Sequence, residues 1–291
     1  QRQALQATEE AYGQFLSFDR SRLTAEQQDT YDIYEFQTAL ALALGDERFD
    51  YYAQQFESMG GLHYQLPTLL ADWALRSEED VKGLVAVVQD VLPYVESALE
   101  YTKEQQARGL LMIDFDEVLG YCRGVLESGE DSAVLRAMNG SIDALGLAPE
   151  KAEEYKRQLK DAFTSSFLPA YEQMVSVLEE LQASGANNEE GLAAFKHGRE
   201  YYELLMQTAT GSGKTVEEVR AMMERAMQQH IFRLQEVLME APDTLYALYG
   251  ELPATGYDSY EAILDDIQSR MFEDFPKVSG LAYDIFDLDE E

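Results

Sequence analysis

Apolar residues recur every three or four positions along most of this chain, a spacing that places them on one face of an α-helix. The pattern is clear in the segment that begins at Pro169, where the apolar positions are Tyr171, Met174, Val175, Leu178 and Leu181. Only seven prolines occur in 291 residues, so few positions would interrupt a helix. The sequence therefore predicts an all-α fold, a multi-helix array of long antiparallel helices.

The pattern changes near the C-terminus, where residues 281–288 alternate apolar and acidic side chains. This is the spacing of a β-strand, and a lone strand cannot satisfy its own backbone hydrogen bonds. We therefore expect a minor strand there and a chain that has been cut short of its natural end. Residues 1–291 are interpreted as one helical region of a larger protein. A sub-boundary is expected near residues 127–148, where Gly and Ser separate short helical pieces.

Charge and cysteine content exclude several classes of protein. With 22 basic and 55 acidic residues, the formal net charge is −33, which disfavours nucleic acid as a partner. The apolar runs are too short to span a bilayer, so no transmembrane segment is predicted. The single cysteine, Cys122, allows neither an internal disulfide nor a cysteine zinc cluster, and its apolar helical context predicts burial. Because Gln1 is not a start methionine, we expect that the chain has been processed or trimmed, and removal of a signal peptide is one way in which this happens.

A Gly-rich corner, Gly211-Ser212-Gly213-Lys214-Thr215, resembles the end of a phosphate-binding loop. Such a loop needs another glycine separated by four residues from the Gly-Lys-Thr, and it must lie between a buried strand and a helix. Thr208 stands at that first position, and the preceding residues have helical spacing. We therefore interpret the corner as a glycine that ends one helix, followed by Thr215, which caps the next together with Glu218.

The histidines do not form a recognised metal motif, because none begins a His-Glu-x-x-His helix. His63 lies in a Gly- and Tyr-rich segment beside Tyr64, and we consider it the better functional candidate. His230 falls on an apolar stripe of the predicted helix that follows Thr215. We interpret His230 as a core histidine, and the methionines around it as ordinary core residues.

Aromatic residues cluster in two parts of the sequence and have two interpretations. They are Tyr51, Tyr52, Phe56, Tyr64, Tyr201 and Tyr202. They either line a peptide groove or pack in the core and at its rim, and the sequence leaves both open. The candidate substrate-binding residues are therefore His63, Tyr64, Tyr201 and Tyr202, and no catalytic, metal-binding or nucleotide-binding residue is assigned.

Six segments, taken in order, resemble a known bacterial family. They are residues 23–36, 59–67, 77–81, 167–171, 198–205 and 210–219. In order and spacing they are similar to the N-terminal half of the family called domain of unknown function 885. The resemblance covers nearly the whole chain. It implies an almost wholly helical, zinc-peptidase-like protein that is secreted or lipid-anchored, and hence extracytoplasmic.

In that family, the resemblance places the His-Glu-x-x-His-type metal helix in the C-terminal half, which has no counterpart here. No catalytic residue is therefore carried over, and we expect no cofactor in this chain, with zinc held by the missing half. The first hypothesis is a non-catalytic half that forms one wall or lid of a peptide cleft, with its own C-terminal half as partner. The alternative is a self-contained helical binding or scaffold protein without enzymatic activity, which an open reading frame ending near Glu291 would favour.

A third hypothesis, a nucleotide hydrolase acting through Lys214, predicts that this lysine binds ATP. We expect no ATP binding, because the corner lacks both the first glycine and the strand that such a site needs. Calorimetric titration of the chain with Mg-ATP, alongside the Lys214→Ala variant, measures this. Binding by the unmodified chain that disappears in Lys214→Ala would restore the nucleotide-hydrolase hypothesis.

Overall fold

The computed structural model describes residues 2–241, 243 and 256–276, and this part of the chain consists of helices joined by short loops, without a strand. The all-α prediction is confirmed, while the strand expected at residues 281–288 lies outside the described residues. None of the described helices has the length and apolarity needed to cross a membrane. The α-helices are α1 Arg2–Phe15, α2 Ala25–Leu44, α3 Leu62–Ala71, α4 Glu78–Ala107, α5 Phe115–Ser128, α6 Ala133–Ala144, α7 Pro149–Ala162, α8 Leu168–Ala183, α9 Gly198–Thr210, α10 Val216–Glu240 and α11 Tyr260–Met271.

The chain divides into two compact units, one reaching to Gly213 and the other beginning at Lys214. The stretch 127–148, where a sub-boundary was expected, lies within the first unit. Its helix α6 contributes Leu135, Met138 and Ile142 to the main core. The second unit contains α10 and α11 in its described part.

Helices α4, α5 and α8 contribute much of the core of the first unit. Along α4, buried residues follow the three- and four-residue spacing of one helix face: Val81, Leu84, Val88, Val91 and Val95. Each such side chain contributes about 1.5–3 kcal/mol by leaving water. Cys122 of α5 is fully buried, as predicted, with its Sγ 4.0 Å from the Sδ of Met174 on α8. Burial raises the pKa of this thiol to about 12, so it stays protonated at neutral pH.

Pro93 lies inside α4 and does not end the helix. A proline has no N–H, so the carbonyl of Gln89, four residues earlier, loses its usual donor. The Oγ of Ser166 supplies the missing bond by donating to the Gln89 oxygen at 2.9 Å. It also accepts from the backbone nitrogen of Leu92 at 2.9 Å. A side chain from another segment thus satisfies the backbone of α4 at its proline.

Ser166 itself belongs to a π-helical turn, Phe163–Phe167, that joins α7 directly to α8. The sequence predicts one helix from Pro149 to about Phe163 and another beginning at Pro169, and this prediction is corrected to one helical path with a wide turn. The backbone nitrogen of Leu168 bonds to the carbonyl of Phe163, five residues back. A π turn changes the register of the ladder at the point where Pro169 cannot donate, so the helix continues through it.

The helix ends follow the sequence signals closely. Thr24 and Thr215 each form a capping box with the residue three positions later, Gln27 and Glu218. Gly211 ends α9 in the left-handed conformation, with φ 61°. The interpretation of the corner at 211–215 as a helix end followed by a helix cap is confirmed.

Two helical segments differ from expectation. Helical spacing predicts one helix over residues 189–206, but Gly191–Ala194 is a short 3-10 turn and α9 begins only at Gly198. The stripe of α10 expected to be core is exposed, and His230 with it, so the assignment of His230 as a core histidine is corrected. Periodicity identified the apolar face of α10, whereas burial depends on what packs against it.

The Ser166 bridge predicts a measurable loss of stability in Ser166→Ala, because the Gln89 carbonyl and the Leu92 N–H would both lose their partner. We expect the free energy of unfolding to fall by about 1–3 kcal/mol, measured by urea denaturation. Ser165→Ala is the matched control, since its exposed hydroxyl donates only to the Asp161 carbonyl of its own helix. An equal loss in both variants would contradict the special role of Ser166.

Candidate functional site

The candidate site is built around a tight turn at residues 57–61, which leads into α3. The backbone nitrogen of Gly61 donates to the Glu57 carbonyl at 2.9 Å, and the Gln65 side chain donates to the Gly60 carbonyl. A Cβ atom at position 61 would lie 2.6 Å from both the backbone nitrogen and the backbone oxygen of Glu57. Only glycine fits at position 61 without moving the turn.

His63 lies beneath this turn in the first helical turn of α3 and has no exposed surface. Its ring packs edge-on against Tyr121 at a centroid distance of 5.4 Å. Neither ring nitrogen has a hydrogen-bond partner of good geometry. Burial lowers the pKa of His63 to about 4, opposed only in part by the nearby backbone of Ser58. The imidazole is therefore neutral at pH 7, and any effect of His63 on a substrate would act through the turn.

Tyr64, the next predicted residue, is exposed and lies in a surface groove of about 660 Å³. The groove follows one side of α3, and its apolar walls come from Met59, Tyr64, Leu69 and Trp73. Met59 and Leu69 are 89% and 53% exposed, unusually open positions for large apolar side chains. We call this depression the α3 groove.

A second depression of about 740 Å³ also borders the 57–61 turn and has a different chemistry. It is lined by acidic and amide side chains from the turn, the start of α5 and the loop after α8: Glu57, Asp114, Asp116, Gln182, Asn187, Asn188 and Glu189. The side-chain amide of Asn187 is occupied by the backbone of Ile113. Its oxygen accepts from the Ile113 nitrogen at 3.0 Å, and its nitrogen donates to the Ile113 carbonyl at 2.8 Å. The carboxylates give this depression a negative charge. We call it the acidic depression.

The two tyrosines of α9 lie apart from the α3 groove. Tyr201 is buried in a separate aromatic cluster, with ring centroids 5.3 Å from those of Phe49 and Tyr52. Burial, and secondarily the Glu57 carboxylate, raise the pKa of Tyr201. Tyr202 is half exposed beside it. The structure thus brings His63 and Tyr64 together at α3, places Tyr201 in a core, and does not assign Tyr202 to either depression.

Two features of the site were missed by sequence reasoning. Leu69 follows Gln65 on one face of α3, and Trp73, the only tryptophan of the chain, lies just beyond the end of this helix. The helical spacing was a usable signal, but spacing does not reveal that this face of α3 is open.

Among the residues that the structure describes, no three or more His, Cys, Asp or Glu side chains are arranged to hold a metal ion. These residues therefore do not fit a zinc ion.

These observations define an all-α protein with two surface depressions on either side of one glycine-rich turn. The chain belongs to the family described as "Bacterial protein of unknown function (DUF885)", whose model it matches over residues 1–287. The family resemblance drawn from the six sequence segments is thereby confirmed.

A solved structure is similar in fold, described as the crystal structure of the "putative lipoprotein" from Colwellia psychrerythraea. The TM-score is 0.75 at 15% sequence identity, and the match covers 94% of this chain and 50% of that chain. At this identity the similarity shows a shared fold. The chain spans about half the length of that protein. No curated protein matches the chain.

The buried His63 predicts that acid destabilises the first unit. In the unfolded chain a histidine has a pKa of about 6.5, whereas in the folded chain the pKa is about 4. Between these values the unfolded state binds a proton that the folded state does not, so stability falls as the pH drops. Lowering the pH from 7 to 5 should cost wild type about 2 kcal/mol more than His63→Leu.

Urea unfolding at both pH values measures this difference. The exposed His230 provides the matched control, and His230→Leu should keep the wild-type response. If His63→Leu and wild type lose the same stability on acidification, the buried neutral imidazole is not the cause.

Proposed function

We propose that this chain is the N-terminal helical half of a larger, zinc-metallopeptidase-like protein and forms one wall or lid of its peptide-binding cleft. On its own it binds peptides weakly and does not hydrolyse them. The observation that carries this proposal is the α3 groove, an open apolar surface beside a rigid turn. Its volume falls within the range of small-ligand pockets, about 300–1,000 Å³.

The groove suits an extended peptide because its apolar lining is interrupted by polar side chains. Gln65, Thr68 and Asp72 share the lining with Tyr64 and Trp73. Apolar walls with a few polar groups are typical of sites that bind side chains and orient a backbone. The acidic depression across the turn would favour a positively charged group of the same peptide, such as an amine or a basic side chain.

Zinc, in this proposal, belongs to the half of the protein that this chain does not contain. Two observations support this placement of zinc. No suitable group of ligands occurs among the described residues, and the similar structure is about twice as long as this chain. When bound there, zinc would polarise a peptide carbonyl and activate a water molecule. The residues of this chain would hold and orient the peptide.

We further propose an extracytoplasmic location, secreted or lipid-anchored. The support is the description of the structurally similar Colwellia protein as a "putative lipoprotein". The strongly acidic composition agrees with a solvated surface, although it does not itself specify a compartment.

Peptide binding in the α3 groove should be visible without a label, because Trp73 is the only tryptophan. Titration with a blocked Leu-Phe dipeptide, N-acetylated and C-amidated, should change the Trp73 fluorescence in a saturable way. Leu69→Asp should abolish this change, because it places a charge on the apolar wall. Ile33→Asp, which alters an exposed aliphatic residue of α2, is the matched control and should bind as wild type does.

Two results would contradict the proposal. One is the absence of any saturable change with the dipeptide; combined with a gene that ends near residue 291, this would favour the self-contained scaffold. The other is stoichiometric zinc in the purified 291-residue chain together with peptidase activity, measured by elemental analysis and a peptide-cleavage assay.

A further inference from the structure

Helix α10 carries an apolar stripe that is open to solvent from Met223 to Leu234, with Val219 half-buried at its start. Its members at helical spacing are Val219, Met223, Met227, His230 and Leu234. None of the 25 residues of α10 is buried, and Met223, Met227 and Leu234 are 68%, 65% and 52% exposed. We call this face the α10 stripe.

The opposite face of α10 is mixed, with Gln228 and Glu236 beside the exposed Phe232. Arg225 is exposed there, and Arg220 pairs with Glu224 at 3.0 Å on the flank of the stripe. Most of the stability of a helix in a protein comes from covering its apolar face, because propensity alone is marginal in water. A contiguous exposed apolar stripe therefore indicates an interaction surface.

We propose that the α10 stripe is the docking surface for the remaining half of the parent protein. This inference rests on the proposed function, since it requires that such a half exists. It is supported by the structural match, which covers 94% of this chain but only 50% of the similar chain. A segment as long as this chain is thus available in that protein to cover the stripe.

The composition of the stripe and of the whole chain argues for this partner over a second copy. Methionine side chains are flexible and polarizable, which lets them adapt to an irregular opposing surface. Two copies of a chain with a formal net charge of −33 would repel each other on association. A covalently linked half avoids the entropic cost of bringing two molecules together.

Cysteine labelling tests the docking directly. The native Cys122 is fully buried and its thiol is protonated, so it reacts slowly with a maleimide. A cysteine introduced on α10 is therefore the fast-reacting one. Met227→Cys places the probe on the stripe, and Arg225→Cys, on the opposite face of the same helix turn, is the matched control. Both are made in the 291-residue chain and in the full-length product of the parent gene. Labelling rates with a maleimide are then compared.

In the 291-residue chain, both positions should react rapidly. In the full-length protein, labelling at position 227 should slow by about tenfold or more, while position 225 should be unchanged. Equal, rapid labelling at both positions in the full-length protein would overturn the docking while leaving the proposed cleft intact. A parent gene that ends near residue 291 would overturn both proposals.

Two further outcomes would assign the stripe to another occupant. Protection of position 227 in the 291-residue chain that increases with protein concentration would show a second copy there. Protection that is independent of concentration would show that the chain covers its own stripe. Either result overturns the docking of the other half.

Discussion

The hydroxyl of Ser166 holds together the two helices on which the first unit depends. It donates to the Gln89 carbonyl that Pro93 leaves without a donor and accepts from the Leu92 nitrogen. Ser166 lies in the π turn that connects α7 to α8 and bonds to the backbone of α4. The π turn and the proline position of α4 are therefore linked by these hydrogen bonds. A proline in one helix and a wide turn in another are both costly alone, and here the shared hydrogen bonds offset the cost.

The same central helices support the candidate site. From α8, the hydroxyl of the fully buried Tyr171 donates to the carbonyl of His63, which fixes the start of α3. Above it, the 57–61 turn closes tightly because Gly61 has no Cβ. The α3 groove and the acidic depression both border this turn, next to the start of α3 that Tyr171 holds to the core. Preorganised walls of this kind reduce the entropy lost on binding.

Local chemistry made part of this structure predictable from sequence. The cap at Thr215 and the end of α9 at Gly211 depend on a few neighbouring residues, and both were predicted. The π turn was not, because Pro169 alone reads as the start of a separate helix, and the bonds from Ser166 to α4 join residues far apart in the sequence. Burial was also beyond local pattern: His230 was expected in a core and is exposed, and the full burial of His63 under the turn was not predicted. In the candidate site, Tyr64 was a predicted binding residue and lines the α3 groove, whereas Leu69 and Trp73 became visible only once the open face of α3 was seen.

The central claim is that this chain supplies one wall of a peptide cleft whose metal lies in another part of the parent protein. A crystal structure of the full-length parent protein with a bound, non-hydrolysable peptide tests this most directly. The account predicts that the peptide lies between the α3 groove and a zinc site contributed by the other half. A peptide bound wholly within the other half, with the α3 groove facing open solvent, would contradict it.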